Sequence, residues 1–277
     1  MAVTTSQQIT RYYSQFETIE VTFTREVIQA LSMNAKQVFL KCLGNQWPCI
    51  IYSSSMSGAK VITTLQPSLK GALAKSKNVL SLRFSFIQHD KADPLAFFVG
   101  AKVAGISPYG DPAKGLSFLN LVFTQRPPDD LIERLGDILA AGINSKKRRD
   151  ERIIMSPDTQ KKLGIDGKGT RILVDSVPRK GLLRDISFGG AKLIMPGVPQ
   201  FLVNRSARLS MSFEDPRETI SIDGKVIRFE SVEGRNDIAA FAIEFNEESV
   251  PIGYKMRLSE YLRGVKPAPA PSKKDNG

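Results

Sequence analysis

Short runs of β-branched and aromatic residues, punctuated by Gly, Asn, Ser, Pro and Asp, recur in both halves of this chain and restrict it to a mainly β architecture. In the first half the runs fall at 38–43, 47–52, 60–65, 79–87, 95–103 and 116–123, a spacing that predicts a compact sheet or split barrel. The second half repeats the style at 170–176, 180–187, 190–195, 207–213, 220–229 and 238–245, with 222–225 read as a bulge or local turn. Between the halves, Arg126-Pro127-Pro128-Asp129-Asp130 is a helix start: the prolines sit early, and the acids face the positive end of the helix dipole. Leu131, Ile132, Leu135, Ile138 and Leu139 then form an apolar stripe. Gly142 and Asn144 close the helix, and Ser145-Lys146-Lys147-Arg148-Arg149 leaves it for solvent. Two further helices are predicted. One lies within 1–35, where Val27, Ile28 and Leu31 follow the N-cap candidate Thr24; the other spans 249–264. In the latter, Ile252, Met256 and Tyr261 cover one end of a barrel, with Leu258 and Leu262 adjoining.

The expected fold is therefore mainly β with flanking helices, two β-barrel or split-barrel domains joined by a helix and a basic loop. A chain of 277 residues, 42% hydrophobic, has room for two ordinary domains. Residues 1–144 form the first, ending in the linker helix; 145–265 form the second; the proline-rich, polar segment 266–277 is expected to be disordered.

The formal charge of +11 favours anionic partners, and its distribution narrows them. It divides as about +4 over 1–143, +3 over 144–152, +2 over 153–265 and +2 in the tail. Charge is dense only at the short junction, which points to a local anionic ligand more than to a long polyanion track, while the general surplus keeps nucleic acid as a possible partner. Cys42 and Cys49, the two cysteines, have neither a second pair nor a neighbouring histidine, which argues against a zinc site. With no secretory n-region and no apolar run near twenty residues, the expectation is a soluble cytoplasmic protein with reduced thiols and no transmembrane segment.

Two short elements carry the chemistry: Arg148-x-x-x-Arg152, then Asp185-x-Ser187-x-x-Gly190. Arginine offers a planar, permanently charged fork that grips phosphate, pairs with the O6/N7 edge of guanine or stacks on its face. The second element supplies a carboxylate for the N1–H and N2–H donors of guanine, a hydroxyl that donates or accepts, and a glycine that permits close backbone approach. Together they describe a pocket for an anionic guanine nucleotide. Taken alone, each has a plainer reading. Lys146, Lys147, Arg148 and Arg149 suit a solvated helix exit, and alternation along 185–188 suits any half-buried strand, with Ile186 and Phe188 on one face and Asp185 and Ser187 on the other.

In order and spacing the pair resembles the signature of the PilZ domain, the bacterial receptor module for cyclic di-GMP, with Arg148, Arg152, Asp185, Ser187 and Gly190 at the matched positions. The resemblance covers about 145–265; two-domain members carry a divergent, barrel-like N-terminal domain, which implies such a domain here. It implies ligand binding by those five residues. Lys147, Arg149 and Gly189 are further candidate contacts; Arg179, Lys180 and Arg184 lie near the second element, either as phosphate contacts or as solvated turn residues. Some members carry arginine at the position of Lys147, associated with a stacked ligand dimer. Lysine keeps the charge but lacks the stacking plane, which leaves the ligand stoichiometry open.

Enzyme signatures are scarce. His89, read as an exposed strand end, is the sole histidine, and Walker A, GxSxG and GxGxxG sequences are absent. The expectation is a non-catalytic cyclic di-GMP receptor with no catalytic cofactor and no metal. The ligand orders the interdomain RxxxR loop, changes the domain arrangement and signals to an unidentified protein target, in the manner of effectors of motility, surface behaviour or virulence. The alternatives are a basic nucleic-acid-binding protein regulated by nucleotide, and a ligand-free interaction adaptor.

Overall fold

The computed structural model describes residues 5–88, 91–111, 115–167, 169–214 and 217–264; His89 and the tail 266–277 lie outside them. Among these residues two compact units emerge, one running over 5–143, the other over 144–250 and 254–264.

In the first unit, β1 (Val21–Thr22), β2 (Phe39–Cys42), β3 (Asn45–Pro48), β4 (Ile50–Ser54), β5 (Gly58–Thr64), β6 (Val79–Phe86), β7 (Leu95–Pro108) and β8 (Leu116–Phe123) form one eight-stranded antiparallel sheet in the order β1-β4-β5-β8-β7-β6-β2-β3. The predicted strand 47–52 is in fact two, because Cys49 falls between β3 and β4 with its side chain buried. Alternation sends Leu40, Leu82, Phe84, Phe86, Val99 and Leu119 inward. Helix α1 (Ser6–Phe16) buries Ile9, Tyr12 and Phe16. Tyr12 lies where a Cβ at Gly136 would collide with its ring, and its hydroxyl donates to Asp137 Oδ1 at 2.9 Å. Helix α2 (Arg25–Ala30) starts as predicted, with the Val27 amide donating to Thr24 Oγ1 at 3.3 Å. Helix α3 (Pro67–Lys75) was not predicted; it buries Leu69, Ala72 and Leu73 within a stretch whose mixed composition hides a helical period. Cys42 and Cys49 are both free and buried, and burial pushes the Cys49 thiol up to about 12.

Helix α4 (Asp129–Lys147) begins on the predicted acids but outruns the predicted stop at Gly142 and Asn144. Lys146 and Lys147 in its last turn suit the negative end of the dipole, and the Asn144 side chain donates to Ser259 Oγ at 2.8 Å instead of capping the helix.

The second unit is also a single eight-stranded antiparallel sheet, ordered β11-β10-β14-β15-β16-β13-β12-β9. Its strands are β9 (Ile153–Ile154), β10 (Arg171–Val174), β11 (Val177–Arg179), β12 (Leu182–Ile186), β13 (Gly190–Pro196), β14 (Ser206–Glu214), β15 (Arg217–Val232) and β16 (Arg235–Phe245). The predicted run 180–187 is shorter, because 180 and 181 turn the chain between β11 and β12. The expected irregularity at 222–225 is absent on the β14 side, where pairing is continuous from Ser206↔Lys225 to Glu214↔Arg217. It lies further along, between Val226 and Arg228 on the β16 side. Gly224 marks close packing instead, since a Cβ there would meet the Glu244 carbonyl oxygen.

Helices α5 (Pro157–Leu163) and α6 (Pro199–Leu202) are short; the first is capped by Ser156, whose Oγ accepts from the Thr159 amide at 3.1 Å. Helix α7 (Ile252–Gly264) closes the unit through Tyr254, Leu258 and Leu262, one face at four-residue spacing, with Tyr261 packed at the margin of the core. Ile252 and Met256, expected on that face, are only half-buried and stand outside the core. The charged pair Arg257–Glu218, at 2.7 Å, fastens α7 to β15, with the guanidinium 4.3 Å from the Phe213 ring centroid. No helix among the described residues is long and apolar enough to cross a membrane.

Candidate functional site

After α4 the backbone makes one more turn. The Arg148 amide donates to Asn144 O at 2.8 Å and the Glu151 amide to Arg148 O at 3.0 Å. The chain then enters β9, which pairs with β12 through Ile153↔Ile186 and Ile154↔Asp185. Ile153 is buried and Ile186 fully so, and this apolar pair fixes the register. Arg152 is delivered to the carboxylate of Asp185, and the two form a hydrogen-bonded ion pair. The carboxylate is 14% exposed and the arginine 41%, so the acid is the sheltered partner.

A bulge in β12 between Leu183 and Asp185 turns Asp185 to the outer face. There it sits opposite Lys192 of β13, whose Nζ lies 2.6 Å from Glu230 Oε2 on β15. That hydrogen bond and charge hold Glu230 below its usual range, with Arg228 and Arg152 adding to the effect. The row Asp185, Lys192, Ala242 and Arg228 thus crosses four strands, with a small residue at its centre.

The second element does not remain a strand to its end. Alternation stops at Ile186, and Ser187 to Gly190 make a tight turn closed by the Ser187 amide donating to Gly190 O at 2.8 Å. Both Ile186 and Phe188 are buried as expected, but so is Ser187, whose Oγ approaches the same carbonyl at 3.4 Å. Gly190 is a packing requirement: a Cβ there would run into the Ile243 carbonyl oxygen on β16. At Gly189 a Cβ would lie 2.8 Å from Arg149 Cγ. The Gly189 amide donates to Arg149 O at 3.0 Å, and its carbonyl accepts from the Phe245 amide at 2.9 Å.

The basic loop is therefore fastened to the turn of the second element at two points. One is the contact of Arg149 with Gly189; the other is Arg152 with Asp185. Arg149 Nη2 also pairs with Glu244 Oε1 at 3.0 Å, and Arg148 Nε lies 3.5 Å from Glu151 Oε2. Lys147 is exposed at the end of α4, as is Arg184 at the bulge; at the β11–β12 turn Lys180 is exposed and Arg179 half-buried.

Sequence reasoning passed over several residues that build this arrangement. Tyr254 of α7 is fully buried and donates from its hydroxyl to Ser187 O at 2.7 Å, bracing the turn from inside; burial raises its pKa. Lys192, Glu230 and Glu244 join the site by cross-strand register alone. Only Lys192 left a trace in the sequence, at the second position after Gly190 and on the same outward phase.

Among the described cavities, the one lined by Arg149, Phe188, Gly189, Phe245 and Val250 has about 20 Å³, room for one water and not for a nucleotide. A larger cleft of about 400 Å³ carries Asp166, Glu214 and Glu218 beside a single cation, Arg217, so its lining is net acidic and ill suited to a phosphate.

A basic loop held against the D-x-S-x-x-G turn of a small β-sheet domain defines a class of protein, and comparison places the chain in it. Residues 146–264 match the PilZ domain and residues 7–142 match the PilZN3 domain, so the chain belongs to the PilZ family. It is 44% identical over 269 residues to a cyclic di-GMP binding protein of Treponema denticola, covering 97% of this chain and 86% of the relative. Among solved structures it is similar to the Borreliella burgdorferi PlzA protein in complex with c-di-GMP, at 27% identity and a TM-score of 0.42 over 92% of this chain and 98% of that one. The Bacillus subtilis inhibitor of motility MotI/DgrA is a more distant likeness, at 13% identity and a TM-score of 0.31 over 82% and 94% of the two chains.

Proposed function

We propose that this protein is a non-catalytic cyclic di-GMP receptor. One observation carries the reading: β9–β12 pairing brings Arg152 of the first motif onto Asp185 of the second, so that a guanidinium and a partly exposed carboxylate stand side by side. Arg148 and Arg152 would grip phosphate and a guanine O6/N7 edge, while Asp185 accepts from the donor edge of guanine. Ser187 and Gly190 shape the turn behind it, with Lys147, Arg149 and Gly189 at its margin. The 44% identity to a cyclic di-GMP binding protein over nearly the whole chain supports the same ligand.

Ligand binding would exchange the present ion pairs of Arg148, Arg149 and Arg152 for contacts with the nucleotide and so reorder residues 148–152. Because α4 enters this loop directly, reordering would bias the arrangement of the two domains and change the surface offered to a protein partner, to the extent that ligand binds one arrangement more tightly.

Calorimetric titration with cyclic di-GMP, beside GTP and linear di-GMP, tests the binding step. The wild-type chain should bind the cyclic ligand selectively. Each single arginine variant should weaken binding about five- to a hundredfold, and Arg148→Ala/Arg152→Ala should abolish it. Binding that survives in the double variant would overturn the assignment.

A further inference from the structure

The outer face of the first sheet is a second anion-attracting surface, separate from the residues discussed so far. Its eight strands contain Lys41, Lys60, Arg83 and Lys102 but no Asp or Glu. The acids of this unit, among the described residues, fall in helices and loops.

Register gathers the cations onto one side. Phe39, Arg83 and Phe98 form a row across β2, β6 and β7; Lys41 follows on β2; Lys102 pairs with Val122; Lys60 pairs with Asn120 one row on. Aromatic rings stand at both ends. Lys41 Nζ lies 5.0 Å from the Phe98 centroid and Arg83 lies 5.9 Å from that of Phe39. At the other end Lys60 Nζ is 4.2 Å from the Phe118 centroid, and Tyr52 and Tyr109 set their rings edge-on to Phe118 at 5.2 and 4.7 Å. Phe98 is 42% exposed, Tyr52 41% and Tyr109 37%, so each keeps ring surface open to solvent. Phe98 and Ser107, the partner of Phe118, lie nine steps apart along β7, a span of about 30 Å.

A ring beneath a cation leaves its charge unneutralised, so this face offers positive charge and π-surface together. The ligand that matches both is an anionic chain with flat, unpaired aromatic groups. A duplex hides its bases from such rings, and an acidic peptide or lipid surface has none to stack.

We propose that the outer face of the first sheet binds single-stranded nucleic acid, with Lys41, Lys60 and Lys102 on phosphates and bases stacked on Tyr52, Tyr109 and Phe98. The test is fluorescence anisotropy of the full-length chain with labelled oligonucleotides of about 12 nucleotides, RNA and DNA, beside the matching duplex, with phosphatidylglycerol vesicles and polyglutamate as competitors. Single strands should bind more tightly than duplex and resist both competitors; the ratio of RNA to DNA affinity identifies the preferred sugar.

Tyr52→Ala/Tyr109→Ala should weaken binding about tenfold or more. Lys41→Ala/Lys102→Ala, two exposed changes that leave the core intact, should lower the slope of log affinity against log salt by about 1.4. Arg148→Ala/Arg152→Ala should leave oligonucleotide binding unchanged, which separates this surface from the cyclic di-GMP reading. Equal affinity for duplex, displacement by vesicles or polyglutamate, an unchanged salt slope in the lysine variant, or no binding at all would overturn it.

Discussion

On the outer face of the first sheet Lys41, Lys60 and Arg83 lie over aromatic rings; on the second, Arg152, Lys192, Arg149 and Arg208 each lie against a carboxylate. The two sheets share strand number and antiparallel pairing and differ in how they hold positive charge. A cation over a ring keeps its long-range field, which suits loose attraction of a polyanion. An arginine paired with a carboxylate has little net field, and a ligand must replace its partner. Free phosphate would satisfy Arg152 but leave the sheltered Asp185 without a donor, at the cost of an unpaired, partly buried charge. A molecule bearing both phosphate and a guanine donor edge satisfies both. Pre-formed pairing thus favours selectivity on the second sheet, and unpaired charge favours reach on the first.

The sharpest way to break this contrast is to disturb the turn that holds the pairs in place. Gly190→Ala forces a Cβ onto the Ile243 carbonyl and should destabilise the second unit by about 1–3 kcal/mol, with loss of nucleotide binding. Gly58→Ala, the equivalent clash with Leu121 O on the first sheet, should cost about as much yet spare nucleotide binding. Urea unfolding beside calorimetry checks both, and nucleotide binding lost in both variants would show that the two faces are not independent.

Tyr254→Phe comes next. Removing the hydroxyl takes a donor from the buried Ser187 carbonyl and should cost about 1 kcal/mol, weakening nucleotide binding severalfold without changing its selectivity. Glu244→Gln is gentler. It releases Arg149 from an exposed pair, so stability should move by less than about 1 kcal/mol, while cyclic di-GMP affinity rises modestly because one ion pair fewer is exchanged. An affinity that falls would mean Glu244 positions Arg149 for the ligand. The smallest effect is a pH dependence at the β15–β16 hairpin. Arg235 holds the Asp237 carboxyl down to about 2, so the pair's contribution is present above roughly pH 4 and disappears as pH falls towards the folded value. In Asp237→Asn, thermal melting should lack this component of the acid slope.

Much of this was legible from residue order. Runs rich in β-branched and aromatic residues bounded by turn formers place most of the strands, because a half-buried sheet imposes a two-residue period on each segment. The start of α4 is written in its prolines and acids, since those respond to local backbone needs. Its end was misjudged because Asn144 spends its side chain on Ser259 instead of capping the helix, and a glycine such as Gly142 is tolerated inside a helix at a modest cost. The split at Cys49 was invisible because a residue can remain buried while leaving the ladder.

At the candidate site the sequence by itself determined the chemical inventory: arginines, a carboxylate, a hydroxyl and glycines at spacings suited to a guanine nucleotide. Tertiary structure decided which of them meet. The Arg152–Asp185 pair depends on the register of β9 against β12, set by Ile153 and Ile186 in the core. Burial of Ser187 depends on a turn braced by Tyr254, 67 residues away. Glu230 and Glu244 were silent, and Lys192 nearly so, because side chains on different strands become neighbours only when the ladder aligns them. Local motifs respond to local backbone geometry, whereas partners across a sheet are chosen by the packing of the whole core.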